Sequence, residues 1–177
     1  MNPAPPPLPS EQALARVLKI SRLNGWSITI LSGLGTLVSL AFGDLVGAGL
    51  GLLATGAGAM EVRGHRRLKR GDAGGTRWLV RAELFLLAII ATYAAGRLLS
   101  FDAESVRESI TPDQQAVLKE AGLEMADIIP LVRTTFRVFY GALLLLTVLY
   151  QGGMTLYYRR KVPLIEEALA ARPPASG

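Results

Sequence analysis

The chain has 177 residues, half of them hydrophobic and only 7% aromatic, with a formal net charge of +5. It contains no cysteine and one histidine, His65, which excludes disulfides, thiol catalysis and cysteine-ligated metal, and leaves little for a transition-metal site. Apolar runs as long as those below are rare in soluble domains and read as membrane spans.

Residues 1–9 are Pro-rich and expected to be extended. Ser10 reads as a helix N-cap, with Glu11 and Gln12 in the favourable first turn. Leu14, Val17, Leu18 and Leu23 then recur at near-helical spacing between Arg16, Lys19 and Arg22. Segment 1–24 is therefore expected to hold a short amphipathic juxtamembrane helix, on or beside the membrane surface.

The first span, about 26–43, carries no charge and opens on the interfacial aromatic Trp26. At 1.5 Å per residue it covers about 27 Å, close to the hydrocarbon thickness. A turn at Gly43–Asp44 leads into a second span, about 45–62. Gly43, Gly47 and Gly51 repeat there at four-residue intervals, a candidate helix-packing face. This span is short, so a re-entrant hairpin with the first span is the alternative to two full crossings.

Residues 61–77 read as a basic loop, in which Arg63, Arg66, Arg67, Lys69, Arg70 and Arg77 outnumber Glu61 and Asp72. Glu61, beside Arg63 and His65, is expected to lie in a solvated loop, with a proton relay there as the alternative. A third span, about 78–99, carries Arg81 and Glu83 near its start and Arg97 near its end. Residues 100–127 reverse the charge, with seven acids against Arg107 and Lys119. Two short helices are expected there, the second begun by Thr111-Pro112-Asp113-Gln114 as a capping box with Pro at the first position. The last span, about 130–158, is expected to be capped by Asp127 and to end at the interfacial pair Tyr157-Tyr158 before Arg159, Arg160 and Lys161. Residues 161–177 read as a polar tail.

The N-terminal segment, the 61–77 loop and the C-terminal flank are basic, and four spans place all three on one side. By the positive-inside rule that side is cytosolic, so both termini are expected inside a cell membrane, the inner membrane if the source is bacterial. The fold class is all-α: a polytopic four-helix transmembrane bundle, residues 25–160, with an acidic helical loop outside. The basic loop lacks interleaved aromatics, which argues against nucleic acid. Arg66, Arg67, Lys69 and Arg70 are candidate contacts for anionic lipid headgroups.

Glu83 is the first functional candidate, because an ionisable group within a span is costly to bury. It reads as a proton- or cation-coupled site or as half of a structural ion pair. Arg133 and Arg137, one turn apart, can line an anion-attracting entrance or pair with the acidic segment. Gln151 is positioned for a hydrogen bond between helices. Nucleophile elbow, zinc-helix and phosphate-loop motifs are missing from the sequence, so neither catalysis nor a cofactor is expected. The expected role is helix association, as a homo-oligomer or with another membrane protein through the Gly face. The alternative is an oligomeric channel or transporter component using Glu83 or Arg133/Arg137.

Overall fold

A computed structural model describes residues 8–120, 122 and 124–171; the expected extended segment before Leu8 and the last residues of the polar tail lie outside them. Six helices follow in chain order: α1 (Pro9–Ala41), α2 (Leu45–Lys69), α3 (Gly75–Leu99), α4 (Ala103–Ser109), α5 (Pro112–Glu120) and α6 (Met125–Ala170). The described residues contain no strand. Four helices, α1, α2, α3 and α6, are long and apolar enough to cross a membrane, as a multi-pass membrane protein requires.

These helices outlast the expected spans. The juxtamembrane helix and the first span are one continuous α1, which runs through the Asn24-Gly25 pair because Gly25 is packed against Val62 of α2. Its first turn begins two residues earlier than expected, at Pro9 with Leu8 as N-cap. There the missing N–H costs nothing, and the Leu8 amide, rather than Ser10, is capped by donation to Glu11 Oε2 at 3.2 Å. The 61–77 loop contracts to the turn at residues 70–74, since α2 continues to Lys69 with Arg66, Arg67 and Lys69 complementing its C-terminal dipole. Much of the supposed polar tail is likewise the end of α6, where Ile165 and Ala168 are buried. Asp127 sits inside α6 and caps the amide of Glu124 at 3.2 Å.

The chain divides into two compact units, one of residues up to Ile89 together with those from Leu149 onward, the other Ile90–Val148. In the first, α1 and α2 form an antiparallel hairpin through a turn in which Gly43 takes φ +72° and Asp44 accepts from Gly47 N at 2.9 Å. Small and hydroxyl residues alternate along their seam. Gly25 faces Val62, Thr29 faces Gly58, Ser32 meets Thr55 at 3.0 Å, and Thr36 faces Gly51. Each turn forward on α1 thus matches a turn back on α2. The hydroxyls are satisfied by carbonyls one turn earlier, Thr29 on Gly25 and Thr36 on Ser32 among them, so the seam needs no water.

Large apolar side chains point outward along the same helices: Leu31, Leu37, Leu45 and Leu52 are all at least 63% exposed. Polar inside and apolar outside is the inverse of a soluble protein, and lipid is the solvent it suits. An apolar core does form from Leu14, Val17, Leu68, Leu79, Tyr158, Ile165 and Ala168. It is drawn largely from the helix extensions beyond the expected spans, which explains why those segments are helical at all.

In the second unit the expected capping box is present: Thr111 N donates to Gln114 Oε1 at 2.9 Å and Gln114 N to Thr111 Oγ1 at 3.4 Å. Gly122, at φ +74°, follows α5. Rings dominate the rest. Tyr93 stacks edge-on to Tyr140 and Phe101 to Phe136, with centroids 5.8 and 5.2 Å apart.

Candidate functional site

The site lies in the first unit, and each of the four long helices contributes to it. On α1, buried positions Leu14, Val17, Ser21 and Gly25 define an inward stripe, and Asn24 lies at its edge. On α2, Ala57, Glu61, Gly64 and Leu68 recur at helical spacing and are all buried. Glu83 follows Leu79 by one turn on α3, and both are buried. On α6, Tyr158 is fully buried and Tyr150 lies about two turns before it.

Asn24 joins these helices. Its Nδ2 donates to Glu61 Oε2 at 2.8 Å and to Glu83 Oε1 at 3.0 Å, so one amide group bridges two carboxylates. Tyr158 OH donates to the other Glu61 oxygen at 2.8 Å. Tyr150 OH donates to Asn24 Oδ1 at 3.3 Å, which fixes which way the amide faces. One turn from Asn24, Ser21 Oγ lies 3.2 Å from His65 Nδ1 and extends the polar side of the hairpin.

Both glutamates are 1% exposed, and no described base lies within ion-pair distance of either. The structural ion pair considered for Glu83 is thus replaced by an amide bridge. Glu61 was expected in a solvated loop; the extension of α2 instead turns it inward. Its oxygens are both paired, whereas Glu83 Oε2 has no partner. Two more buried oxygens are unpartnered, Gln151 Oε1 and Thr155 Oγ1. They lie one turn apart on α6, on the stripe that reaches Tyr158. The carbonyl oxygen of Gln151 is therefore not the acceptor in the hydrogen bond between helices expected of this residue.

Two carboxylates sharing one neutral donor, without a cation, form an arrangement that one positive charge completes. A proton on Glu83, or a small cation with oxygen ligands, meets that need. Among the described residues no group of three or more His, Asp or Glu is placed to hold a metal ion.

The other candidates fall elsewhere. Arg133 lies over the Phe101 ring at 5.3 Å and is exposed, as is Arg137. Neither pairs with an acid among the described residues, whose ion pairs are Arg67–Asp72 and Arg107–Glu104. Gly47 and Gly51 are packed within the chain: a Cβ on Gly47 would strike Ser39 and Asp44, and one on Gly51 would strike Thr36 and the Ser32 carbonyl. Gly43 belongs to the turn. Arg66, Arg67 and Arg70 line one cleft, while Lys69 lines another with Lys19 and Arg22.

Comparison with protein-family models, characterised proteins and solved structures finds no match to this chain.

Proposed function

We propose that this chain is a membrane component that takes up and releases a proton or small cation at the Glu61–Glu83 pair, as part of a channel or transporter. The observation that carries this reading is the unpaired Oε2 of a fully buried Glu83, next to a second buried carboxylate and without a base. A purely structural clasp would be expected to use each acceptor; this one leaves Glu83 half satisfied. Asn24 and Tyr158 hold the pair in place, and the exposed hydroxyl-bearing Tyr150 gives the network an edge.

The positive-inside rule supports both termini in the cytosol, with the site near the cytosolic face of a four-helix bundle. Four spans are few for a complete transport path, which favours a homo-oligomer in the cell membrane, the inner one in a bacterium. The Gly47–Gly51 face is no longer the preferred contact for a partner, because α1 occupies it.

Proteoliposome flux under imposed proton, sodium and potassium gradients tests the reading. Wild type is expected to dissipate at least one gradient. Glu83→Gln is expected to abolish that flux, and Glu61→Gln to reduce it. Absence of flux under all three gradients, or flux unchanged in the double variant, overturns the proposal.

A further inference from the structure

Beside the hairpin seam, with neither carboxylate in its lining, runs a cleft of about 720 Å³ lined by Trp26 and Thr29 of α1 and by Ala59, Val62, Arg63, Arg66, Arg67 and Arg70 of α2. Its lining is ordered along the helix axis. Thr29, Ala59 and Val62 lie within the expected spans, Trp26 at their border, and the guanidinium groups beyond. Arg63, Arg66, Arg67 and Arg70 follow i, i+3, i+4, i+7 spacing and so share one face of α2.

The positive charge there is barely compensated. Arg67 donates through Nε to Asp72 Oδ2 at 2.6 Å. Arg63 lies over the Trp78 ring at 4.7 Å. Neither Arg63, Arg66 nor Arg70 has an acidic partner among the described residues. Arginine forks match phosphate oxygens two at a time, and an indole at the hydrocarbon border suits the glycerol level of a lipid.

We infer that this cleft binds the phosphate headgroup of an anionic phospholipid, with the acyl chains beside Trp26, Thr29, Ala59 and Val62 and the phosphate among Arg63, Arg66 and Arg70. The apolar-to-cationic order of the lining is the order of the lipid itself, from chain to headgroup. A free phosphate would use the arginines and have no need of the apolar half. The inference is independent of the carboxylate site: it needs neither Glu61 nor Glu83.

The test uses full-length protein carrying Trp78→Phe, so that Trp26 is the sole tryptophan, in mixed vesicles. Quenching of Trp26 by brominated phosphatidylglycerol is compared with quenching by brominated phosphatidylcholine. The anionic lipid is expected to be favoured severalfold, and Arg63→Gln/Arg66→Gln/Arg70→Gln to lower that preference to about unity. A charge-matched control, Arg159→Gln/Arg160→Gln/Lys161→Gln, is expected to leave it in place. Inorganic phosphate is expected not to relieve the quenching. Equal quenching by the two lipids in the parent protein, equal loss in the two triple variants, or displacement by inorganic phosphate would each overturn the assignment. Circular dichroism on each variant confirms that the helices persist, and single Arg→Lys changes, which retain charge but lose the fork, are expected to weaken the preference only partly.

Discussion

The Asn24 network and the ring-lined unit of residues 90–148 both have to accommodate charge on otherwise apolar helices, and they do so in opposite ways. Glu61 and Glu83 are short acids held inside, each reached by an amide and one also by a phenol. Arg97 and Arg133 are long bases that stay exposed and lie over ring faces: Arg97 over Phe136 and Tyr140 at 5.3 and 5.7 Å, Arg133 over Phe101. A guanidinium can reach outward while its stem covers apolar surface. A carboxylate has no such reach, so the protein must bring donors to it. The two regions therefore differ in how much a single lost partner should matter.

Replacing Asn24 with Leu sharpens that contrast most. It removes both bridging donors, and a loss of about 3 kcal/mol is expected in reversible unfolding from mixed micelles. Arg97→Met, which removes an exposed cation from half-buried rings, is expected to cost less than about 1 kcal/mol in the same assay. Similar losses from the two would erase the distinction between the regions.

The hairpin offers the next effect in size. A Cβ on Gly58 would lie 2.5 Å from Thr29 Oγ1 and 2.8 Å from Thr29 N, whereas one on Gly56 meets nothing within 4 Å. Gly58→Ala is expected to destabilise by about 2 kcal/mol through overpacking. Gly56→Ala should be neutral or slightly stabilising, since alanine is the better helix former. Should the two behave alike, the antiparallel register described here is wrong.

The smallest effect is at the turn between α2 and α3. Asp72 accepts from Arg67 Nε and from Gly74 N at 2.8 Å, and these donors hold its carboxyl below the ordinary value, the Arg67 hydrogen bond most of all. A lowered folded value stabilises the turn above the unfolded pKa and loses that stabilisation as pH falls through the folded one. The exchange protection of the Gly74 amide is therefore expected to be constant at neutral pH and to decline below about pH 4. Asp72→Asn should abolish that acid-dependent decline.

Much of this organisation is legible in the sequence because it is local. Span positions follow from uninterrupted apolar runs, the Thr111 capping box from four adjacent residues, and the turn between the first two spans from Gly43-Asp44. Glu83 is conspicuous because its neighbours are apolar. Glu61 is not, since Arg63, His65 and Arg66 surround it in sequence and suggest water. The signal that would have found it is the small or apolar stripe of Ala57, Gly64 and Leu68, which shares its face and continues past the hydrophobic run. Asn24 and Tyr158 carry no such mark. Their role depends on partners on other helices, and no periodicity within one helix encodes which residues will meet.

The short turn at Phe42, Gly43 and Asp44 has a consequence for the order in which the molecule is made. Every contact of the α1–α2 ladder is available once synthesis has passed Lys69, so the hairpin can zip while the rest of the chain is still on the ribosome. The carboxylates are completed much later: Tyr150 follows its partner Asn24 by 126 residues. Between those moments Glu61 has its amide but lacks its phenol. The last helix to be born is thus the one that closes the network, and a nascent chain truncated before α6 would lack the phenols that hold Glu61 and orient Asn24.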